Sequence, residues 1–557
     1  MNFLRRRPST LLATAAVVTP LVVALLCAAC STRPTASVEA TTAPATSPTT
    51  EAEPLTTTTP PKTPPPATLP VATAPVTTAA SGAPRAATLR DADCRFAPPG
   101  GYEVRCFDLV VPQDRAKAGG PDVTLAGAVF HLPASSGRGD PLLYLDGGPG
   151  SHALAAAELA FDSRFATAAR DRDVIIFDQR GTGLSTPALD CSELTDVFEQ
   201  QLTTPRAPTN LAQQRGALAR CVDRWQRQGY DLAAFNSVES AADVADLRRA
   251  LGIPQWDVLG VSYGTRLALT VLRTQPEGVR SVVLDSTYPP EVDATAEFPD
   301  RTWAAFGHLF EACRSDPHCA QDAPNLASRF WALARQLDAA PLRFRAAEAL
   351  QGRPIDVALD GSSLVGLVFE ALYSPDRFVL VPRLVAELER SDATTAARLI
   401  GASVAQSGFL SVGDYVAVQC HEELALSDRR AVEDAAQRHP ELAAFVAEQL
   451  VDGPAGYATC ELANVGRAPQ AEAAPVNTSV PMLVMAGEFD PVTPPQWGEA
   501  VANRNPRAFF AAFPGLGHGV SLGEGCPNDV FLAFLLRPDQ PPDLGCRGAM
   551  ESPAWRT

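Results

Sequence analysis

Residues 260–264 read Gly260-Val261-Ser262-Tyr263-Gly264, and what flanks them limits the fold more than any other stretch of this chain. Upstream, Trp256-Asp257-Val258-Leu259 is a short apolar run of strand type. Downstream, Thr265 to Gln275 has apolar residues at helical spacing. A G-x-S-x-G between a strand and a helix is a nucleophile elbow: the turn is so tight that small residues must flank the serine, whose Oγ is pushed out above a sheet. The five-letter string alone recurs by chance. Its strand–turn–helix setting marks Ser262 as a nucleophile.

Strand-like and helix-like runs alternate from about residue 100 onward. Cys106–Val111 and Val123–Phe130 read as early strands, Pro141–Leu145 and Val174–Phe177 as buried ones. Ser237–Leu251 reads as an amphipathic helix with Ser237 as N-cap, leading into the nucleophile strand. Ser281–Leu284 and Met482–Ala486 read as later strands. Such alternation predicts an α/β fold, a doubly wound and mostly parallel sheet. Residues 290–472 break the rhythm with helical patterns such as Arg329–Leu337 and Arg383–Glu389, which predicts a helical lid inserted between two late strands. The expected domains are a core at 89–289, the lid at 290–472, and the rest of the core at 473–557.

The N-terminus reads as an export signal. Arg5-Arg6-Arg7 precedes a mostly apolar stretch, and Cys27-Ala28-Ala29-Cys30 ends it within residues 1–30. Small residues before a cysteine resemble a bacterial lipobox, with Cys30 as the lipidated residue, although Cys27 stands where leucine is usual. An ordinary signal peptide or an uncleaved anchor is the alternative, and the Arg triplet leaves Sec and twin-Arg export both open. Residues 31–88 are Thr, Pro, Ala and Ser with almost no large apolar side chains, so they predict a disordered tether. The expected location is secreted, or the outer side of the cell membrane, with membrane contact only through that anchor. The net charge of −17 and pI near 4.9 argue against nucleic-acid partners and against electrostatic docking on anionic lipid.

Ten further cysteines follow: Cys94, Cys106, Cys191, Cys221, Cys313, Cys319, Cys420, Cys460, Cys526 and Cys546. An even number in an exported chain predicts disulfides. Sequence alone leaves the connectivity open, and sequential pairing is the simplest because each pair closes a local loop. No C-x-x-C pair occurs among the ten, and neither a metal nor an organic cofactor is expected.

A serine hydroxyl needs a base within hydrogen-bond reach, and the base needs an acid to fix its tautomer. After an elbow of this kind the chain order is Ser, acid, His. Asp490, just past the Met482–Ala486 strand in Gly487-Glu488-Phe489-Asp490-Pro491-Val492-Thr493-Pro494, is the expected acid. Glu488 ranks second, and Asp285 is a further alternative. His518, in Gly515-Leu516-Gly517-His518-Gly519 before a C-terminal helix at Asp529–Leu536, is the expected base. His152 competes with it but precedes the serine. Oxyanion donors are expected from the backbone N–H of Tyr263 and of Gly148, in the Asp146-Gly147-Gly148-Pro149-Gly150 loop. Arg180, in Asp178–Ser185, is expected to brace loops through a carboxylate.

Together, Gly147-Gly-Pro-Gly150, Asp178-Gln-Arg-Gly-Thr-Gly183, Gly260-Val-Ser-Tyr-Gly-Thr-Arg266, Asp490-Pro-Val-Thr-Pro494 and Gly517-His-Gly519 resemble the actinobacterial tripeptidyl-aminopeptidase-like α/β-hydrolases, of the prolyl aminopeptidase family of serine exopeptidases. They are also similar to the mycobacterial cell-envelope serine hydrolases of that group, which include proteases and carboxylesterases. The resemblance runs from about 90 to 550. Asp146 stands where many prolyl enzymes carry histidine, so it does not extend to strict prolyl specificity. It implies an acidic residue two positions after a lid cysteine, met here by Cys420-His421-Glu422-Glu423. Glu422, with Glu423 second, is then the candidate partner for a substrate α-ammonium group. The function expected is a serine aminopeptidase releasing short N-terminal peptides. The alternative is a carboxylesterase with the same triad, and a catalytically silent envelope-binding protein is the remote third.

Overall fold

The computed structural model describes residues 85–137, 139–205, 209–451, 453, 456–523, 525–550 and 552–557. The export segment with Cys30, and the tether as far as residue 84, lie outside the described residues. Arg85 already hydrogen-bonds Gly120 O at 2.7 Å. Strand β1 opens at Thr88, one residue ahead of the core start expected at 89.

Nine strands form the main sheet: β1 (Thr88–Asp91), β2 (Glu103–Pro112), β3 (Asp122–His131), β4 (Leu142–Leu145), β5 (Val174–Phe177), β6 (Trp256–Val261), β7 (Val279–Asp285), β10 (Met482–Gly487) and β11 (Ala508–Phe513); β8 (Leu342–Ala347) and β9 (Pro354–Leu359) stand apart as an antiparallel pair. The order across the sheet is β1-β2-β3-β5-β4-β6-β7-β10-β11, antiparallel from β1 to β5 and parallel from β5 to β11. Alternate residues of one strand feed opposite cores, as the two-residue period of a strand requires. Met482 and Val484 pack with Trp225, Leu267 and Val282 on one face. Leu483 and Met485 pack with Phe161, Val283 and Phe531 on the other.

Between β7 and β10 the chain leaves the sheet for helices, beginning with Ala294–Ser315. This insertion has its own core, built on Phe306, Phe330, Leu364, Phe378 and Phe445. It is largely but not all helix: β8 and β9 pair within it, a hairpin not expected from the sequence. The alternation Leu342-Arg343-Phe344-Arg345 places its charged residues on the open face and carries that signal.

The helix leading into β6 runs Ser237–Ala250, but Ser237 is not its cap. Asn236 is, with its side chain accepting from Glu239 N at 2.9 Å. Five disulfides join the cysteines in sequential order: Cys94–Cys106, Cys191–Cys221, Cys313–Cys319, Cys420–Cys460 and Cys526–Cys546. Among the described residues no helix is long and apolar enough to cross a membrane.

Candidate active site

Ser262 stands between β6 and the helix Tyr263–Thr274 with φ +58° and ψ −125°, a region non-glycine residues rarely occupy. The flanking glycines are sterically required. A Cβ on Gly260 would lie 2.3 Å from Gly264 O, and one on Gly264 would lie 2.0 Å from Leu145 O. The elbow is thus wedged against the end of β4, which brings the following loop over the serine. The Cβ position of Gly147 falls 3.4 Å from Ser262 Oγ.

That loop offers one committed and one available donor. Gly147 N donates to Asp146 Oδ1 at 2.8 Å, an oxygen that also accepts from Tyr144 OH. Gly148, at φ +103°, turns the backbone back toward the elbow. Gln179 Nε2 donates to Asp146 O at 3.0 Å and pins the loop from the side. On the elbow itself, the Tyr263 N–H begins a helix and therefore has no carbonyl four residues back to donate to.

The Asp490–His518 pair is assembled by two loops at the C-terminal ends of β10 and β11. His518 Nδ1 lies 2.8 Å from Asp490 Oδ2, with the Asp490 side chain fully buried and that of His518 9% exposed. Asp490 Oδ1 accepts from Val492 N and Thr493 N, each at 2.9 Å. Thr493 Oγ1 donates to Asp490 Oδ2 at 2.7 Å and stands 3.3 Å from His518 Nδ1. Burial alone would push the Asp490 carboxyl up. The His518 charge and the donors from Thr493 outweigh it and hold that carboxyl below its ordinary value. Burial likewise pulls the His518 imidazole down, and Asp490 more than reverses that, so its pKa is raised. His518 N donates to Tyr373 O of the insertion at 2.9 Å, and a Cβ on Gly519 would sit 3.5 Å from Val261 Cγ1, beside the elbow. No hydrogen bond links Ser262 Oγ to His518 here. In substrate-free hydrolases that contact is commonly loose and tightens around the substrate.

The competing residues are spent elsewhere. Glu488 bonds His308 Nε2 at 3.0 Å and Gly515 N at 2.8 Å. Asp285 accepts from Val520 N at 3.0 Å and Ser521 N at 2.6 Å, bracing the loop after His518 rather than the imidazole. His152 lies against Ser411 Oγ at 2.9 Å, on the insertion side of the glycine loop. Arg180 grips both oxygens of Asp243, at 2.8 and 2.7 Å, as a fully buried brace.

Glu422 and Glu423 require a correction. Both are buried in a π-helical turn, Cys420–Leu424. Glu422 accepts from Ser237 N at 2.6 Å, Ser237 Oγ at 2.7 Å and Arg266 Nε at 3.0 Å, while Glu423 faces Arg266 Nη1 at 2.6 Å. Neither carboxylate is free for a substrate ammonium group. Both offset the buried Arg266 charge, whose partner ring is Tyr288 at 5.2 Å. The sequence shows the acids but not the arginine they answer, 156 residues upstream of Glu422. Thr493, Gln179 and Arg301 also stand at the site without having been singled out from sequence. Thr493 and Gln179 lie in strings that the sequence marks, three residues after the acid and one after Asp178, whereas Arg301 lies in none.

Residues 140–363 match a family described as alpha/beta hydrolase fold, and residues 450–546 match one described as TAP-like protein. The chain has the alpha/beta hydrolase fold and resembles TAP-like proteins in its C-terminal part. This serine hydrolase is similar to the serine protease Hip1 of Mycobacterium tuberculosis, 27% identical over 467 residues, covering 80% of this chain and 87% of that one. It is also similar to carboxylesterase B of Mycobacterium tuberculosis, 29% identical over 461 residues, covering 79% and 85%. The tripeptidyl aminopeptidase of Streptomyces coelicolor is 30% identical over 195 residues, 34% of this chain and 36% of that one.

Proposed function

We propose that the hydrolase is an exported serine aminopeptidase that releases short N-terminal peptides through an acyl-enzyme. The observation carrying this reading is the Asp490–His518 pair held at 2.8 Å beside an elbow that presents Ser262 under the Gly147–Gly148 loop. Ser262 Oγ attacks the scissile carbonyl carbon and His518 Nε2 takes its proton. The carbonyl oxygen, now negative, is met by the N–H groups of Gly148 and Tyr263. His518 returns the proton to the departing amine as the C–N bond breaks. Water then enters by the same route in reverse, giving its proton to His518 and splitting the ester to Ser262. Asp490 fixes the imidazole tautomer throughout. Peptide chemistry is favoured by the TAP-like match at 450–546 and by the likeness to Hip1 and to the tripeptidyl aminopeptidase. Lipidation at Cys30 would hold the enzyme at the outer membrane face.

A carboxylesterase is the second reading, favoured by the likeness to carboxylesterase B over 79% of this chain. One assay separates them: the same peptide anilide with a free and with an acetylated N-terminus, beside short-chain p-nitrophenyl esters. The aminopeptidase cleaves the free peptide at least ~10-fold faster than the acetylated one, a difference of about 1.4 kcal/mol at the transition state. Equal cleavage of both, or turnover of esters alone, removes the aminopeptidase reading. Ser262→Ala abolishes all turnover and labelling by fluorophosphonates.

A further inference from the structure

Arg301 lies two turns into the first helix of the insertion, Ala294–Ser315, and reaches across to the core. Its Nη1 donates to the carbonyls of Pro491, at 3.2 Å, and Val492, the two residues between Asp490 and Thr493. Its Nη2 donates to Ala294 O of its own helix at 3.2 Å. The guanidinium lies between the rings of Trp497, 4.9 Å away, and Phe298, 5.6 Å away. Among the described residues it forms no ion pair, and its buried Nε has no hydrogen-bond partner. Glu297, the nearby acid on the same helix, accepts instead from Trp497 Nε1 at 2.9 Å.

An arginine without a carboxylate partner, bonded only to carbonyls and stacked on rings, keeps its full charge in a poorly solvated place. We propose that Arg301 is a positioning residue of the triad: it clamps the Asp490–Thr493 turn to the insertion and supplies a standing positive charge that keeps His518 usable as a base.

The electrostatic half of this follows from what faces the imidazole. Asp490 and Thr493 approach it from the acid turn, Asp285 from the end of β7, and Tyr373 from the insertion with ring centroids 4.9 Å apart. The two carboxylates favour imidazolium. A base charged before substrate arrives cannot accept the serine proton. Burial of the ring opposes them first, and Arg301, held on the Pro491 and Val492 carbonyls beside Asp490, is the cation that adds to that opposition, with Glu297, Asp490, Tyr288 and Tyr373 facing its own charge. The mechanical half follows from the carbonyl contacts. Pulling on Pro491 O and Val492 O orients the same turn whose N–H groups grip Asp490 Oδ1.

The inference rests on the reading of Ser262, Asp490 and His518 as a triad. The test is kcat/KM against pH for p-nitrophenyl acetate, which reports acylation whatever the peptide preference. In Arg301→Gln the charge is gone, His518 holds its proton to higher pH, and the acid limb moves up by about half a pH unit or more. In Arg301→Lys the charge stays but the fork is lost, so the limb holds its place while kcat/KM falls roughly 3- to 10-fold at every pH. An unmoved limb in Arg301→Gln, with the same loss of kcat/KM as the lysine variant, reduces Arg301 to a plain brace and overturns the proposal. If Arg301→Gln does not fold, the lysine variant decides: wild-type kcat/KM across the pH range overturns it. Residual turnover in Ser262→Ala would instead unseat the triad reading, which keeps the two failures apart.

Discussion

Ser262, Asp490 and His518 each sit in a turn whose backbone demands particular neighbours. Gly260 and Gly264 are fixed by contacts under 2.5 Å that any side chain would make, so the elbow writes itself into the sequence. The positive φ of Ser262 costs roughly 1–3 kcal/mol, and the wedge against β4 is what sustains it. Thr493 shows the next layer, one hydroxyl reaching both Asp490 and, more distantly, His518. Thr493→Val keeps the shape and removes that donor while the Thr493 N–H contact to Asp490 remains. Losing one charge-assisted hydrogen bond costs about 1.5 kcal/mol, so kcat should fall roughly tenfold with KM nearly unchanged. Steady-state kinetics on any substrate turned over checks this, and a kcat within twofold of wild type would remove Thr493 from the orienting group.

The helix Val412–Gln419 and the π turn after it show where reading by string fails at the level of elements. The acids at 422 and 423 were visible, but the turn aims them at Arg266 and Ser237, which lie far away in sequence. Asp414, in the first turn of that helix, is the opposite case: a buried carboxylate packed against Gly181, met by no donor among the described residues. Burial raises its pKa to about 8, against a smaller pull down from Arg180. Glu423, raised by burial to about 7, and Asp178, raised by burial to about 6, behave alike. Each keeps its proton to a higher pH in the folded state than in the unfolded chain, which releases it near its ordinary value, and Glu423 meets Arg266 as a carboxylate only above about 7. Their contribution is therefore complete at low pH and is lost as pH rises through 6, 7 and 8. Asp490 has the opposite sign, but its window lies below the ordinary carboxyl value, outside this range. Thermal unfolding should thus show Tm falling between about pH 5 and pH 8.5. Asp414→Asn should flatten that slope, gaining ~1–3 kcal/mol over wild type at pH 8.5 and little at pH 5. A wild-type and variant pair with parallel Tm profiles would exclude Asp414 as the source.

Across the whole molecule, the break in strand–helix rhythm after β7 announced an insertion, but not how it is held. None of the five disulfides crosses between insertion and core. Cys313–Cys319 and Cys420–Cys460 close loops inside the insertion, and the other three lie in the core. The attachment is noncovalent, partly apolar where Val412, Val416 and Val418 share a core with Leu218 and Trp225, and partly polar. Ser411 N donates to Gly150 O at 2.9 Å, His518 N to Tyr373 O at 2.9 Å, and Arg301 holds the acid turn. Arg266, on the elbow helix, meets Glu422 and Glu423 of the insertion, and all three side chains are at most 5% exposed. That last joint sits one helical turn beyond the nucleophile, so stability and activity share it. Glu422→Gln leaves the arginine with Glu423 alone, and costs Ser237 an ionised acceptor. Breaking a lone buried pair costs about 3–5 kcal/mol, and the remaining carboxylate brings the expectation down to ~2–3 kcal/mol. Denaturant unfolding should show that loss as a lower midpoint at unchanged slope. Turnover of free peptides, acetylated peptides and esters should fall together, because the elbow helix shifts beneath them all. Were Glu422 instead the partner of a substrate ammonium group, the variant would keep its stability and lose only free-amine peptides. A normal unfolding midpoint together with a selective rise in KM for those peptides would reject the joint and restore the glutamate to the substrate.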